Sequence, residues 1–322
     1  MKILVTGGAG YIGGTVARLL LSQGHEITVY DNLCHSRRLA VAKDATFVEG
    51  DLADRPLLEN TLRKGFDGVM HFAALIEAGE SMKRPEIYFK NNTASTLSLL
   101  ESMLATGHDR LVFSSTAACY GEPETTPILE DAKLQPTNPY GESKLLVEHM
   151  LRWINLAHNF KYASLRYFNV AGAIEGYGEA HEPESHLIPL ILDVALGKRA
   201  NIKIFGRDYP TKDGTCVRDY IHVRDLAEAH LLALGALSDT KSRLIYNIGN
   251  GQGFTVREVI DSARRVTGRP IAVEELDRRP GDPAVLVASS EKIKAELGWR
   301  PKYAELDQII ASAWEWHQKR YS

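Results

Sequence analysis

A β-rich run, KILVTG (2–7), ends in the glycines Gly7, Gly8, Gly10 and Gly13 and passes straight into a helical pattern. In that pattern Ile12, Val16, Leu19 and Leu20 recur at helical spacing, and Gly24 ends the run. Gly8, Gly10 and Gly13 satisfy G-x-G-x-x-G between a strand and a helix. Glycine at such points permits a tight turn, close backbone approach to a ligand and close packing of helix on strand. The N-terminus of the helix that follows attracts anions through its N–H groups and its macrodipole. A chain built this way is committed to a strand–turn–helix unit, and the ligand that fits the turn is the pyrophosphate of a dinucleotide.

Asp31 closes the next expected strand, EITVYD (26–31), 18 residues after Gly13. An acid there accepts hydrogen bonds from a ribose 2′-OH and repels a 2′-phosphate, so NAD is expected rather than NADP. Arg37 and Arg38 pull the other way, though less strongly. Asp51, ending ATFVEGD (45–51), has two readings: it meets the adenine, or it caps the helix from Asp54.

Further strands are expected at GVMHFA (68–73) and RLVFSS (110–115), and helices over 85–107 and 138–159. This alternation, with near-continuous apolar strands, predicts an α/β fold: a doubly wound parallel (Rossmann) sheet. Beyond residue 168 the alternation fades and long glycine- and proline-containing loops enter. At 322 residues two lobes are expected. The boundaries that follow are 1–168 for the nucleotide-binding domain, with 221–245 returning to it. Residues 169–220 and 246–322 form a smaller α/β substrate-binding domain. A formal net charge of −3 gives no general attraction for nucleic acid or anionic membrane. No apolar stretch spans a bilayer. Cys34, Cys119 and Cys216 are odd in number and widely spaced, and His149, His158 and His222 have no ligand partners, so no metal is expected. A cytoplasmic location is expected.

The segment NPYGESK places Tyr140 and Lys144 at i, i+4, on one face of a helix. A phenol titrates near pH ~10, and a nearby ammonium is expected to lower it toward service as a base. LVFSSTAACYG supplies Ser114, Ser115 and Thr116 at the C-terminal end of a strand, the edge where open α/β sheets bind ligands. Thr116 either shares a hydrogen bond with a substrate hydroxyl and Tyr140 or simply caps the strand end.

Together these residues resemble the extended short-chain dehydrogenase/reductase family. RYFNVAGA (166–173), IFGRDYPTKDGTCVRDYIHVRDLA (204–227) and RRPGDPA (278–284) extend the similarity from residue 2 to about 301. The resemblance implies NAD-dependent inversion at C4 of a UDP-hexose, through a 4-keto sugar, with Tyr140, Lys144 and Thr116 catalytic. It implies that Gly7, Gly10, Tyr11, Ile12, Gly13, Asp31, Asn32, Asp51, Leu52, Phe72, Ala73, Ala74, Asn91, Ser114 and Tyr167, with Tyr140 and Lys144, line the cofactor. For the UDP-sugar it implies Asn169 on a phosphate, Phe205 by the uridine, Arg218 and Arg279 on the diphosphate, and Asp282 on the uridine ribose. His186 and Leu187 occupy a matching stretch, and Thr116 and Tyr140 meet the sugar. The bland reading of Arg218 is a surface ion pair with Asp219. Two departures stand out: Ile76 replaces a lysine found near the pyrophosphate in some members, and Leu286 replaces a bulky tyrosine, which would admit 2-acetamido sugars. A 4,6-dehydratase or decarboxylase on the same fold competes with inversion. Dehydration needs an acid and a base after the threonine, where this chain has Ala117 and Ala118. A non-catalytic NAD-binding protein should lack the tyrosine or the lysine, and a simple carbonyl reductase would not need the diphosphate arginines. The helices 85–107 and 138–159 resemble the family's dimer surface, so a homodimer is implied.

Overall fold

The strands expected at the start of the chain are present in a computed structural model, which describes residues 1–279 and 282–320. They are β1 (Lys2–Thr6), β2 (Glu26–Asp31), β3 (Thr46–Glu49), β4 (Gly68–His71) and β5 (Arg110–Thr116), each within two residues of its expected limits. With β6 (Lys161–Tyr167) and the strand Arg243–Ile248 they form a seven-stranded sheet. Its order is Arg243–Ile248, β6, β5, β4, β1, β2, β3, and β1–β2, β2–β3, β1–β4 and β4–β5 pair in parallel. The chain leaves β1 in one direction through β2 and β3, then returns to β1's other side through β4, β5 and β6. That reversal opens a crevice beyond the C-terminal ends of β1 and β4. Ile3, Leu4 and Val5 are fully buried, as a strand covered on both faces requires.

The helix Pro139–His158 starts and stops for local reasons. Asn138 caps it by accepting from the Gly141 amide at 2.9 Å, Pro139 tolerates the first turn, and Asn159 leaves it at φ 52°. Val147 and Leu151 carry its inner face into a core with Leu99, Met103, Leu111, Phe113 and Phe160. Each such side chain contributes roughly 1.5–3 kcal/mol on burial. The helix expected over 85–107 is interrupted. It runs as Pro85–Tyr88, a π-helical segment Phe89–Ala94, then Ser95–Ala105. The extra residue in the turn falls where the Asn92 side chain bonds away from the helix, to Leu75 and Ser143.

Residues form two compact units: Met1–Gly121, Leu134–Arg166 and Ala227–Tyr246; and Glu122–Lys133, Tyr167–Leu226 and Asn247–Ser322. Of the segment expected to return to the first domain from residue 221, Ile221 and His222 instead pair with Val170 and Ala171, and the return begins at Ala227. Residues 122–133, expected in the first domain, fall in the second unit because Ile128 bridges to Ala288 and accepts from Asn247. Within the second unit the strand Val217–His222 is central. It pairs in parallel with Asn169–Ala171 and Val285–Leu286, and antiparallel with Gly253–Thr255. Ile188, Ile191, Ile204, Val259 and Ile309 pack its core. Pro280 and Gly281 of the RRPGDPA segment lie outside the described residues. Among the described residues no helix is long and apolar enough to cross a membrane.

Candidate active site

The glycine turn follows β1 and the segment Phe72–Ala74 follows β4, so both lie at the sheet's reversal point. Gly7 has φ 71° and donates its amide to the Tyr30 carbonyl at 2.9 Å. A Cβ on Gly7 would sit 2.4 Å from the Ala73 nitrogen, and one on Gly13 would sit 2.4 Å from the Gly7 carbonyl oxygen. Side chains are thereby excluded from a cradle whose lining is backbone, which fits a dinucleotide pyrophosphate. Gly10 is the N-cap residue of the helix Tyr11–Ser22, and Tyr11 and Ile12 are half-buried in its first turn.

Asp31 is held ready by the turn itself. Its Oδ2 accepts from the Ala9 amide at 3.0 Å and its Oδ1 from the Leu33 amide at 2.8 Å. Beside it, Asn32 donates to Asp51 Oδ2 at 2.8 Å, and Asp51 Oδ1 accepts from the Ala53 amide. Asp51 therefore does not cap the helix that follows. Asp54 does, accepting from the Leu57 amide at 3.1 Å. Leu52 is buried beneath them, while the Arg38 guanidinium lies 4.1 Å over the Phe47 ring.

Tyr140 and Lys144 stand on the first turns of the helix Pro139–His158, facing the end of β5. Lys144 is 3% exposed; its Nζ donates to the Ser114 carbonyl at 2.9 Å and lies 5.0 Å from the Phe113 ring centre. The Thr116 side chain pulls the Tyr140 phenol down in pKa, and its oxygen accepts from the Ala118 amide at 3.1 Å. The capping reading of Thr116 is thereby borne out. The expectation that the ammonium lowers the phenol is reversed in the protein alone. Burial pushes Tyr140 up to about 12 against the Thr116 hydrogen bond, and burial lowers Lys144 to about 7. Desolvation dominates at both positions, and each group is driven toward its neutral form.

The lysine's lowered value couples folding to pH. An unfolded lysine holds its proton to about 10.5, whereas the folded one releases it at about 7. Between those values the unfolded state binds more protons, so folding stability gains with rising pH. The cofactor-free protein should therefore melt higher at pH 9 than at pH 7, and Lys144→Met should flatten that rise. An identical slope in the variant would assign the effect to other groups.

In the second unit, Arg218 donates to the Val217 and Pro283 carbonyls, each at 2.9 Å, and to Asp282 Oδ1 at 3.1 Å. Its guanidinium is fixed by these three acceptors. The suspected pairing with Asp219 is absent: adjacent strand residues face opposite ways. Fully buried Asp219 instead accepts amides of Asn250, Gly251 and Ala288. Arg279 lies 3.6 Å over the Phe205 ring, bringing together an expected diphosphate residue and an expected uridine residue. Asn169 is exposed at the start of its strand, level with Tyr220. His186 is the residue before the helix Leu187–Ala195, and its Nδ1 meets Glu184 at 2.8 Å.

Residues 3–249 match the model of the NAD dependent epimerase/dehydratase family. The chain belongs to that family. It is 53% identical to a UDP-glucose 4-epimerase of Streptomyces lividans over 98% of this chain and 96% of the other. A crystal structure of a UDP-glucose 4-epimerase superposes with a TM-score of 0.97, at 48% identity, covering 100% of this chain and 99% of the other. Another, from Bifidobacterium longum in complex with NAD+ and UDP, gives a TM-score of 0.94 at 37% identity, covering 100% and 99%.

Ile76 is 38% exposed in the segment after β4, and Leu286 pairs in register with Arg218. Phe72 is in ring contact with His230 at 4.8 Å, Tyr167 ends β6, and Asn91 lies in the π-helical turn. Four residues around the Tyr140 helix escaped sequence reasoning: Asn92, Ser143, Glu148 and Arg166. Only Glu148 left a signal, since it continues the face of Tyr140 and Lys144 by one more turn.

Proposed function

We propose that the protein is an isomerase that interconverts UDP-galactose and UDP-glucose, using tightly bound NAD. The observation that carries this is the placing of Tyr140 and Lys144 one helical turn apart, with Lys144 Nζ on the Ser114 carbonyl at the end of β5, on the sheet edge that also carries the glycine cradle. Bound NAD would supply a reversible hydride acceptor for C4. Tyr140 removes the proton of the C4 hydroxyl as the bond to hydrogen is lost, and gives it back at the end. Thr116 orients that hydroxyl and lowers the phenol against the pull of burial. The Lys144 ammonium, next to a ribose and a phenolate, acquires charge partners that restore its proton. Gly7, Gly10, Tyr11, Ile12, Gly13, Asp31, Asn32, Asp51, Leu52, Phe72–Ala74, Asn91, Ser114 and Tyr167 are the cofactor contacts in this reading.

Arg218 and Arg279 bind the substrate diphosphate, with Asn169, His186, Leu187, Phe205 and Asp282 on the rest of the UDP moiety. Planar guanidinium donors match phosphate oxygens. Firm grip on the nucleotide and loose grip on the hexose let the 4-keto sugar turn over and accept hydride on its other face. Dehydration would need an acid and a base where Ala117 and Ala118 stand, and neither side chain moves a proton. Leu286, being smaller than a tyrosine, leaves room for a 2-acetamido group.

A cytoplasmic homodimer completes the reading. Trp153 and Leu156 on the helix Pro139–His158 are 64% and 65% exposed, as befits a surface covered by a second copy.

The test uses purified protein with no added cofactor, given UDP-galactose in one reaction and UDP-N-acetylgalactosamine in another. UDP-glucose should form without accumulation of NADH, and the acetamido sugar should also invert. A 4-keto-6-deoxy product would replace this reading by dehydration. Failure of the acetamido sugar alone would remove the breadth assigned to Leu286. The mass of the same preparation in solution, one chain or two, decides the homodimer.

A further inference from the structure

Segment 173–186 begins as a two-stranded turn, Ala173–Ile174 against Tyr177–Gly178, and ends by delivering His186 and Leu187 to the start of the helix Leu187–Ala195. Local bonds shape its second half. Glu179 Oε1 accepts from the Ala180 and His181 amides, each at 2.9 Å, and Glu184 Oε1 accepts from the Ser185 and His186 amides, each at 2.8 Å. Bonds of such short range fold a chain on itself without fixing where it lies.

One face of the helix Leu306–Arg320 supplies that fixing. Ser312, Trp316 and Arg320 recur at i, i+4 and i+8, a row about 12 Å long. Ser312 Oγ accepts from the Ala173 amide at 3.1 Å, and Trp316 Nε1 donates to the Glu179 carbonyl at 2.8 Å. Arg320 donates to the same carbonyl at 3.4 Å, to the Ala180 carbonyl at 3.2 Å and to Glu182 Oε1 at 3.0 Å. The Trp316 indole also lies against Gly178, where a Cβ would sit 2.5 Å from its Cδ1. On the same helix His317 Nε2 meets Asp193 Oδ1 at 2.8 Å, which secures the helix that the segment leads into. A segment held in this way is ordered in advance. Released, it would have to be ordered when a ligand binds, and that cost is subtracted from affinity.

On the proposed epimerase reading, in which His186 and Leu187 meet the UDP moiety, we infer that Trp316 and Arg320 are positioning residues for UDP. Both act through the backbone of residues 179 and 180 rather than on the nucleotide itself. Their loss therefore falls on nucleotide affinity and leaves the chemistry alone. Tyr140, Lys144 and Thr116 belong to the other compact unit and keep their own supports.

The test compares Trp316→Phe, Arg320→Gln and their double variant with the unaltered protein. Measured for each are the Kd of UDP by calorimetry, kcat and KM for UDP-galactose, NAD retained per chain, melting temperature, and the rate at which a glutamate-specific protease cuts within 179–186. Each single variant should bind UDP about 10-fold more weakly and raise KM in parallel, with kcat within about twofold and NAD retained. The double variant should lose little more than the worse single one, because both donors serve the Glu179 carbonyl. The protease should cut the variants faster, and saturating UDP should abolish the difference. Unchanged UDP affinity in both single variants overturns the inference and leaves the epimerase reading intact. Joint loss of kcat, NAD and melting temperature overturns it in favour of a purely structural role. UDP binding weakened as expected, in a protein that does not invert C4, sinks the epimerase reading alone. Absence of UDP binding by the unaltered protein sinks both.

Discussion

Tyr140→Phe should slow conversion of UDP-galactose by ~10²- to ~10⁴-fold while the protein keeps its bound NAD. The change removes one oxygen and leaves the ring, so the packing of the helix Pro139–His158 against the end of β5 survives. What goes is the group proposed to take and return the C4 proton. Lys144 cannot replace it, because its Nζ is committed to the Ser114 carbonyl and lies beneath the phenol's turn. Thr116 cannot either: an aliphatic hydroxyl is far too weak an acid to alternate at neutral pH, and its oxygen already accepts from the Ala118 amide. The starting point makes the effect large. With the phenol held up to about 12 in the protein alone, catalysis depends on bound partners bringing the anion within reach. Removing the oxygen removes everything those partners act on. A variant with more than about a tenth of normal turnover would show that the proton leaves by another route.

What was legible in the sequence follows from how local each constraint is. Strands β1 to β5 were readable because each is a short apolar run bounded by turn residues, and sheet position did not need to be known. The place of Asp31, at the end of β2 beside the glycine turn, was readable because chain distance ties it to that turn. Asp51 was not, since the sequence leaves the start of the next helix open by a few residues, and the coordinates show that Asp54 is its N-cap. The π turn at Phe89–Ala94 was hidden because apolar periodicity survives a single inserted residue. Its cause, Asn92 bonding to Leu75 and Ser143, joins segments 17 and 51 residues away. Arg218 illustrates the same limit. Its neighbour Asp219 suggested a surface pair, yet alternation along the strand sends Asp219 into the core, and the true partner is Asp282, 64 residues on.

Removing the Glu148 carboxylate should cost the protein about 3–5 kcal/mol of stability, the largest effect expected of any single change away from the reacting groups. Glu148 and Arg166 are 5% and 2% exposed, so neither charge is relieved by water. Arg166 Nε donates to one carboxylate oxygen at 3.0 Å and a terminal nitrogen to the other, while its remaining arm reaches the Tyr120 hydroxyl at 2.8 Å. Ser115 adds a 2.6 Å bond to the same carboxylate. Such a fork is favourable only while both partners are present, because each ion has given up its hydration. Glu148→Ala leaves the guanidinium buried without its counter-charge, which destabilises more than losing both. The double variant Glu148→Gln/Arg166→Met should therefore recover most of what the single one loses. Activity should follow stability here, since residues 140, 144 and 148 share one helical face and Ser115 is next to Thr116 on β5. Denaturant unfolding of the NAD-free protein checks this. If Glu148→Ala unfolds within about 1 kcal/mol of the unaltered chain, water or another group satisfies Arg166 and the pair does not hold the helix in place.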